Sequence, residues 1–408
     1  MRAVTRDQFI TGTPGIGDRV RRLRLGLGLS QQDLANSANI ASGVVSMIEN
    51  NFHQSDEATI RALAESLDCT PAYLTQASTF GQMEVGRPKL RAYADASQRS
   101  VDRTTFDSIT AVESIRQNRM RLVENILPVF DGDPNDDVAI DTIAADVRTS
   151  ANVGPIDVIP NVIRAAERLG SVVLPMDGEL GRHLGLSFQV AGIPIIRVAR
   201  PSNDPAHDIP GDRQRFTVAH ELGHLVLHAG EGQPTSPDVA ARMEKEANRF
   251  AAAFLVPGDA ALDDLWASGG RVTLNTLADL KSKWGYSIKA FVMRFRLLGV
   301  IDDGQARSLY KQISARKWNK DEPHRVGTES AMWFDRALAE RYPGAERTRQ
   351  AAAATGLSER YFRRWTDWDP SGSLRPNAPV TQLRPKTTDS RTPPPSTVAK
   401  ISRLPQRG

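Results

Sequence analysis

The 408-residue chain has one cysteine, Cys69. No disulfide can brace the fold, and any metal site must be built from histidine and carboxylate. Cys69 itself reads as a small buried hydrophobe. No apolar run is long enough for a transmembrane helix, and the first thirty residues lack the apolar stretch of a secretory signal, so a cytoplasmic protein without membrane contact is expected. Residues 1–75 contain no lysine; seven arginines face eight acids there, about −1 in all. The overall charge of +4 and pI near 9.2 therefore come largely from the C-terminal tail, which weakens any argument from basicity alone to nucleic acid. Hydrophobic residues at 40% and charged ones at 25% suit a chain that buries a core, and the length implies two or three domains.

Residues 16–74 read as short amphipathic helices. Ser30 followed by Gln31-Gln32-Asp33 is an N-cap with an acid in the first turn, and a break follows at Ala38-Asn39. Val44, Val45 and Ile48 form a second apolar stripe, which Asn50-Asn51 can end in left-handed geometry. Ile60, Leu63, Ala64 and Leu67 form another.

This segment resembles the Cro/C1-type helix-turn-helix family in Leu23-Arg24, in Leu29-Ser30-Gln31-Gln32-Asp33-Leu34-Ala35 and in Val45-Ser46-Met47-Ile48-Glu49-Asn50. The resemblance implies a five-helix domain over residues 1–75, able to form a homodimer, whose third helix enters the major groove. The reading positions hold Ser42, Gly43, Val44 and Ser46, none of which makes bidentate base contacts. Gln31 and Gln32 are expected at phosphates, with Arg19, Arg21, Arg22 and Arg24 supplying charge. DNA binding of modest affinity follows.

Residues 76–139 read as a charged, mostly helical connector. Its Asp133, Asn135 and Asp137 alternate as in a calcium loop but lack the glycine and terminal glutamate such a loop needs. From residue 140 the pattern changes. A helix is expected over 156–169, stopped by Gly170, followed by strands at 171–175, 186–190 and 193–198 around Gly192. Two helices are expected over 272–300. A helical region follows over 301–368, in which residues 354–359 hint at a second helix-turn-helix step that reads as a packing unit. Residues 369–408 form a basic, proline-rich tail without hydrophobic pattern, expected to be disordered.

The chemistry concentrates in Phe216-Thr217-Val218-Ala219-His220-Glu221-Leu222-Gly223-His224-Leu225-Val226-Leu227-His228. The helix is largely apolar, and a buried helix rarely keeps such polar groups unless they are satisfied. His220 and His224 are four apart, so both rings leave one face and can share a metal. Glu221 is rotated by about 100° from His220, badly placed as a ligand but well placed as general base on a metal-activated water. A catalytic zinc takes a third protein ligand. Glu244 lies on the apolar stripe of Ala247, Phe250, Ala251 and Phe254, whereas Glu246 falls toward the edge, so Glu244 is the chosen ligand. Asn248, one turn on, can orient a ligand histidine. His183, His228 and Arg215 are the candidates for stabilising an oxyanion.

These residues resemble the ImmA/IrrE family of metallopeptidases. The resemblance rests on Arg213-x-Arg215-Phe216-Thr217-x-Ala219-His220-Glu221-Leu222-Gly223-His224, on Glu244-x-x-Ala247-Asn248-x-Phe250-Ala251, on Leu255-x-Pro257, on Trp284-x-x-Ser287 and on Trp318-x-x-x-Glu322-Pro323. It implies an α+β, mostly α chain with a zincin-like peptidase domain at 140–300 that carries a small sheet. It also implies a zinc endopeptidase, with manganese as the other possible metal, that cleaves a repressor-type protein. The other candidate substrate is the chain itself, cut between Thr75 and Leu90 to release the N-terminal domain. The alternative is a transcription regulator or antitoxin whose peptidase-like domain only binds a ligand or partner.

Overall fold

A computed structural model describes residues 15–52, 55–76, 85–86, 97–176, 184–201, 209–232 and 234–368. All of these belong to one unit of the chain, residues 1–372. The expected tail at 369–408 and His183 lie outside the described residues.

Five helices open the described chain: α1 (Ile16–Gly26), α2 (Gln31–Ala38), α3 (Ser42–Glu49), α4 (Glu57–Ser66) and α5 (Pro71–Thr75). Local chemistry sets their ends. Ser30 Oγ accepts from Asp33 N at 3.0 Å, and Asp33 Oδ2 accepts from Ser30 N at 2.7 Å, a reciprocal capping box. Asn39 and Asn51 take left-handed φ of 52° and 58°, which breaks the chain after α2 and after α3.

In the connector, α6 (Gln98–Gln117) packs along α1, and the following residues up to Phe130 carry no regular secondary structure, so only a portion of the connector is helical. Next come α7 (Asp137–Ser150) and α8 (Val162–Arg168). The helix expected over 156–169 is shorter because Pro160 disfavours helix at Ile159, and Asn161 then caps α8 by accepting from Arg164 N at 2.7 Å.

Three strands follow: β1 (Val172–Met176), β2 (Gly185–Val190) and β3 (Ile193–Ala199). The order is β1-β3-β2, with β1 parallel and β2 antiparallel to β3. Ala191 and Gly192, both at positive φ (51° and 78°), make the two-residue hairpin between β2 and β3.

The sheet divides two cores. Val173, Ile196 and Val198 join the core around α9 (Gly211–Leu227) and α10 (Pro237–Leu255). Alternate residues Val172, Leu174, Leu186, Phe188 and Ile195 join a core shared with α1–α6. Burial on both faces explains why the strands read as nearly continuous apolar runs.

The first core is completed by α11 (Gly258–Ala267), α12 (Leu274–Trp284), α13 (Ile288–Leu297) and α14 (Asp303–Ala315). The second is completed by α15 (Trp333–Arg341), α16 (Arg347–Thr355) and α17 (Glu359–Thr366). The turn between α16 and α17 meets the loop before α5. Thr70 N donates to Gly356 O at 2.7 Å and Ser358 N donates to Asp68 O at 2.8 Å. The helix-turn-helix hint at 354–359 is thus a step packed on the N-terminal domain. Cys69 is half-buried in this junction, and burial pushes its thiol up to about 12.

A buried ion cluster ties α6 and α17 to the sheet. Asp107 of α6 meets Arg197 of β3 at 2.9 Å, Trp365 Nε1 of α17 at 3.1 Å and Arg364 at 3.5 Å.

Candidate metal centre and its surroundings

Helix α9 lies on the sheet and against α10, and two glycines let it come close. A Cβ on Gly223 would stand 3.0 Å from the Phe250 ring and 3.3 Å from Ala247 Cα, so only glycine lets α10 approach here. A Cβ on Gly185 of β2 would meet Glu221 Cγ at 2.9 Å. These contacts bring the polar face of α9 between α10 and the start of β2.

On that face His220 Nε2 and His224 Nε2 are 3.1 Å apart. Glu244 reaches them from α10, with Oε2 at 3.5 Å from His220 Nε2 and Oε1 at 3.5 Å from His224 Nε2. Donors at about 2.0–2.1 Å from one tetrahedral ion lie about 3.3 Å apart, so the two ring nitrogens and the Glu244 carboxylate fit a zinc ion. His224 is buried and the other two are partly exposed, leaving access from one side. Asn248 Oδ1 stands 3.1 Å from His220 Nδ1.

Glu221 is buried beside this trio and is held from β2, where Ser187 Oγ donates to its Oε2 at 2.7 Å. Burial pushes the Glu221 carboxyl up to about 7; Glu244 adds to the rise, while His224 and Ser187 oppose it. Sequence reasoning misses Ser187. Its only signal is a lone hydroxyl inside the apolar run Leu186-Ser187-Phe188.

Two further expectations change. Glu246 is not at an edge but buried, with Oε2 at 2.9 Å from His228 Nε2. The stripe drawn through Ala247 and Phe250 overlooks that His228, just past the end of α9, packs against this side. Arg215 is not available to an oxyanion: it pairs with Glu329 and donates to Ile159 O at 2.7 Å. Glu329 also accepts from Val162 N at 2.7 Å and Ile163 N at 3.1 Å, so this carboxylate fixes the start of α8 to α9, and nothing in the sequence marks it. A surface cleft lined by residues 158–160, 282–285 and 324–326 reaches Arg215, but none of His220, Glu221, His224 and Glu244 lines it. Glu322 of the Trp318-x-x-x-Glu322-Pro323 match is structural: it accepts from Lys281 Nζ at 2.8 Å and Ile288 N at 2.9 Å, capping α13.

In the N-terminal domain most of the expected DNA-facing charge turns inward. Arg24 forms a buried bidentate pair with Glu49 at 2.5 and 2.9 Å. Arg22 pairs with Glu113 of α6 at 2.5 Å, and Arg19 donates to Tyr73 O. Arg21 alone of the four is exposed. Gln31 is held by Glu49 at 2.8 Å and Gln32 by Asn36 at 2.8 Å. Gly43 is exposed, Ser42 and Ser46 are half-buried, and Val44 packs partly on the core.

The fold and the site together define a helix-turn-helix domain joined to a metallopeptidase-like domain. Residues 166–296 match the peptidase M78 family model described as the IrrE N-terminal-like domain, and residues 20–74 match a helix-turn-helix family model. The chain is thus a fusion of a Cro/C1-type helix-turn-helix with an ImmA/IrrE-like peptidase domain. No curated protein and no solved structure matches it. Among the described residues, no helix is long and apolar enough to cross a membrane.

Proposed function

We propose that the chain is a cytoplasmic zinc-dependent endopeptidase that regulates transcription by cleaving a repressor-type protein or itself. One observation carries this: three metal-ligating side chains with contacts of 3.1–3.5 Å beside a buried carboxyl that is not one of them. His220, His224 and Glu244 hold the metal. Zinc supplies a Lewis acid that polarises a scissile carbonyl and acidifies water, and manganese suits the same donors. Glu221 takes the proton of the attacking water and returns it to the leaving amine, while Ser187 holds its carboxyl in place. Asn248 accepts from His220 Nδ1–H, which leaves Nε2 free to ligate. The N-terminal domain, as a homodimer of modest DNA affinity, keeps the peptidase near its target.

One observation favours the self-cleaving form. Val85 bridges to Val190, and Gly86 N donates to Gln189 O at 2.7 Å. A piece of the stretch between Thr75 and Leu90 therefore lies along the strand whose Ser187 holds Glu221.

The test is to incubate wild type and Glu221→Gln, with and without DNA, with the repressor encoded beside the gene, and to follow both proteins by mass spectrometry. Wild type cuts the repressor or itself; the variant binds zinc equally and cuts neither. Equal cleavage by the variant overturns the mechanism. Absence of zinc after native purification turns the reading to a ligand-sensing regulator.

A further inference from the structure

His228, the residue after the end of α9, is fully buried, and its two ring nitrogens face different partners. Nδ1 stands 3.0 Å from His224 Nδ1, and Nε2 stands 2.9 Å from Glu246 Oε2. Glu246 in turn receives Arg242 Nη1 at 2.8 and 3.0 Å, and Arg242 Nη2 reaches Glu231 at 2.7 Å. His228, Glu231 and Glu246 are close enough to suggest a second metal site. The Arg242 guanidinium already sits on both carboxylates, so a second cation there would face it directly.

The proton positions follow from counting. If His224 ligates through Nε2, its Nδ1 must carry the proton and donate. His228 Nδ1 must then be the acceptor, which puts the His228 proton on Nε2, aimed at Glu246. One arrangement alone satisfies every contact in this row.

We propose that His228 and Glu246 are positioning residues for the metal: a carboxylate–histidine–histidine relay, anchored by Arg242, that fixes the ring and tautomer of ligand His224. The relay rests on the metal reading of the site above. It raises the basicity of Nε2 and holds the ring in ligating pose before metal arrives, the role that outer partners of ligand histidines play in general. Its cost is a histidine and a glutamate buried in an otherwise apolar layer, which packing alone does not require.

The test measures zinc affinity of the full-length protein by competition with a chromogenic chelator, alongside melting of the metal-free forms. His228→Phe keeps the bulk and removes the acceptor; it weakens zinc binding about 10–100-fold. His228→Asn returns an acceptor oxygen near the Nδ1 position and recovers most of the loss. Glu246→Gln falls between the two. Metal-free melting stays at the wild-type value for His228→Asn and Glu246→Gln. Zinc affinity within about twofold of wild type for both His228→Phe and Glu246→Gln overturns the relay. So do equal losses in His228→Phe and His228→Asn, the mark of packing alone. If His228→Phe does not fold, Glu246→Gln carries the test on the same threshold. Wild type and His220→Ala separate the two readings. A wild type that binds no zinc removes the metal site itself, whereas normal wild-type binding with unaffected variants removes only the relay.

Discussion

Helices α9 and α3 each mark a functional region, and they treat polarity in opposite ways. Helix α9 keeps two histidines and a glutamate in an apolar layer and surrounds them with specific partners: Ser187, Glu244, Asn248 and His228. Helix α3, the third helix of the helix-turn-helix match, has no charged group free for a phosphate or a base edge. Its one acid, Glu49, is buried against Arg24; Gly43 and Met47 are exposed and Ser42 and Ser46 half-buried. Polar groups held in a low-dielectric site cost several kcal/mol without partners, so their presence on α9 points to a use. A helix in the DNA groove draws its affinity mainly from cations at phosphates. On α3 and its neighbours those cations instead hold the N-terminal domain to α6 and to itself.

That contrast can be broken at several places. The largest effect is expected at α9: Glu221→Gln lowers kcat about 10²–10⁴-fold with zinc content unchanged, checked by peptide-cleavage kinetics and metal analysis. An unchanged rate would make α9 no more specialised than α3.

The next effect lies where the two regions join. Asp107→Ala leaves the buried Arg197 without its carboxylate, takes a partner from half-buried Arg364, and costs about 3–5 kcal/mol in urea unfolding. The same cluster predicts an acid response. Burial pushes the Asp107 carboxyl up, but Arg364 and Arg197 outweigh it and hold it below its usual range. A depressed pKa stabilises the fold above the unfolded value of about 3.9, and that contribution is lost as pH falls through the lowered one. Wild type therefore loses stability below about pH 4 through this group, and Asp107→Asn lacks that component of the pH dependence.

The smallest effect belongs to α3. A side chain at Gly43 meets nothing within 4 Å, so Gly43→Arg adds an outward cation without strain. It should tighten non-specific DNA binding and steepen the salt dependence by about one unit, read by anisotropy titrations at several salt concentrations. No change in slope would mean that α3 does not face DNA.

These two regions are legible in the sequence to different degrees. The capping box at Ser30, the left-handed Asn39 and Asn51, and the strands around Gly192 are local matters of backbone chemistry, and each can be read directly. The His220–His224 pair is legible because helical spacing is geometry that sequence states directly, and Glu244, on another helix, is reached only through the apolar stripe it shares with Ala247 and Ala251. Contacts between distant segments are not. Glu329 on Arg215, Glu113 on Arg22 and Ser187 on Glu221 join residues 34–114 positions apart, and no spacing rule reaches that far. Glu246 escapes a sequence reading for the same reason: a stripe drawn on α10 alone ignores that His228 comes to meet it. The arginines of α1 read as surface charge because arginine usually is; the inward turn of Arg19, Arg22 and Arg24 depends on α5, α6 and α3, which arrive later in the chain.

The sheet that separates two cores also joins them. Leu174, Phe188 and Ile195 are covered on one side through α6, α15 and α17, and those helices lean in turn on α1 and the loop before α5. A cut in the stretch after α5 would therefore not divide the molecule into a pair of finished bodies. It would open a shared interior, and the piece left behind would lose support for one face of the strand that steadies Glu221. Under the self-cleaving reading proposed above, the switch works only once: the cut that frees the N-terminal domain also begins to dismantle the domain that made it.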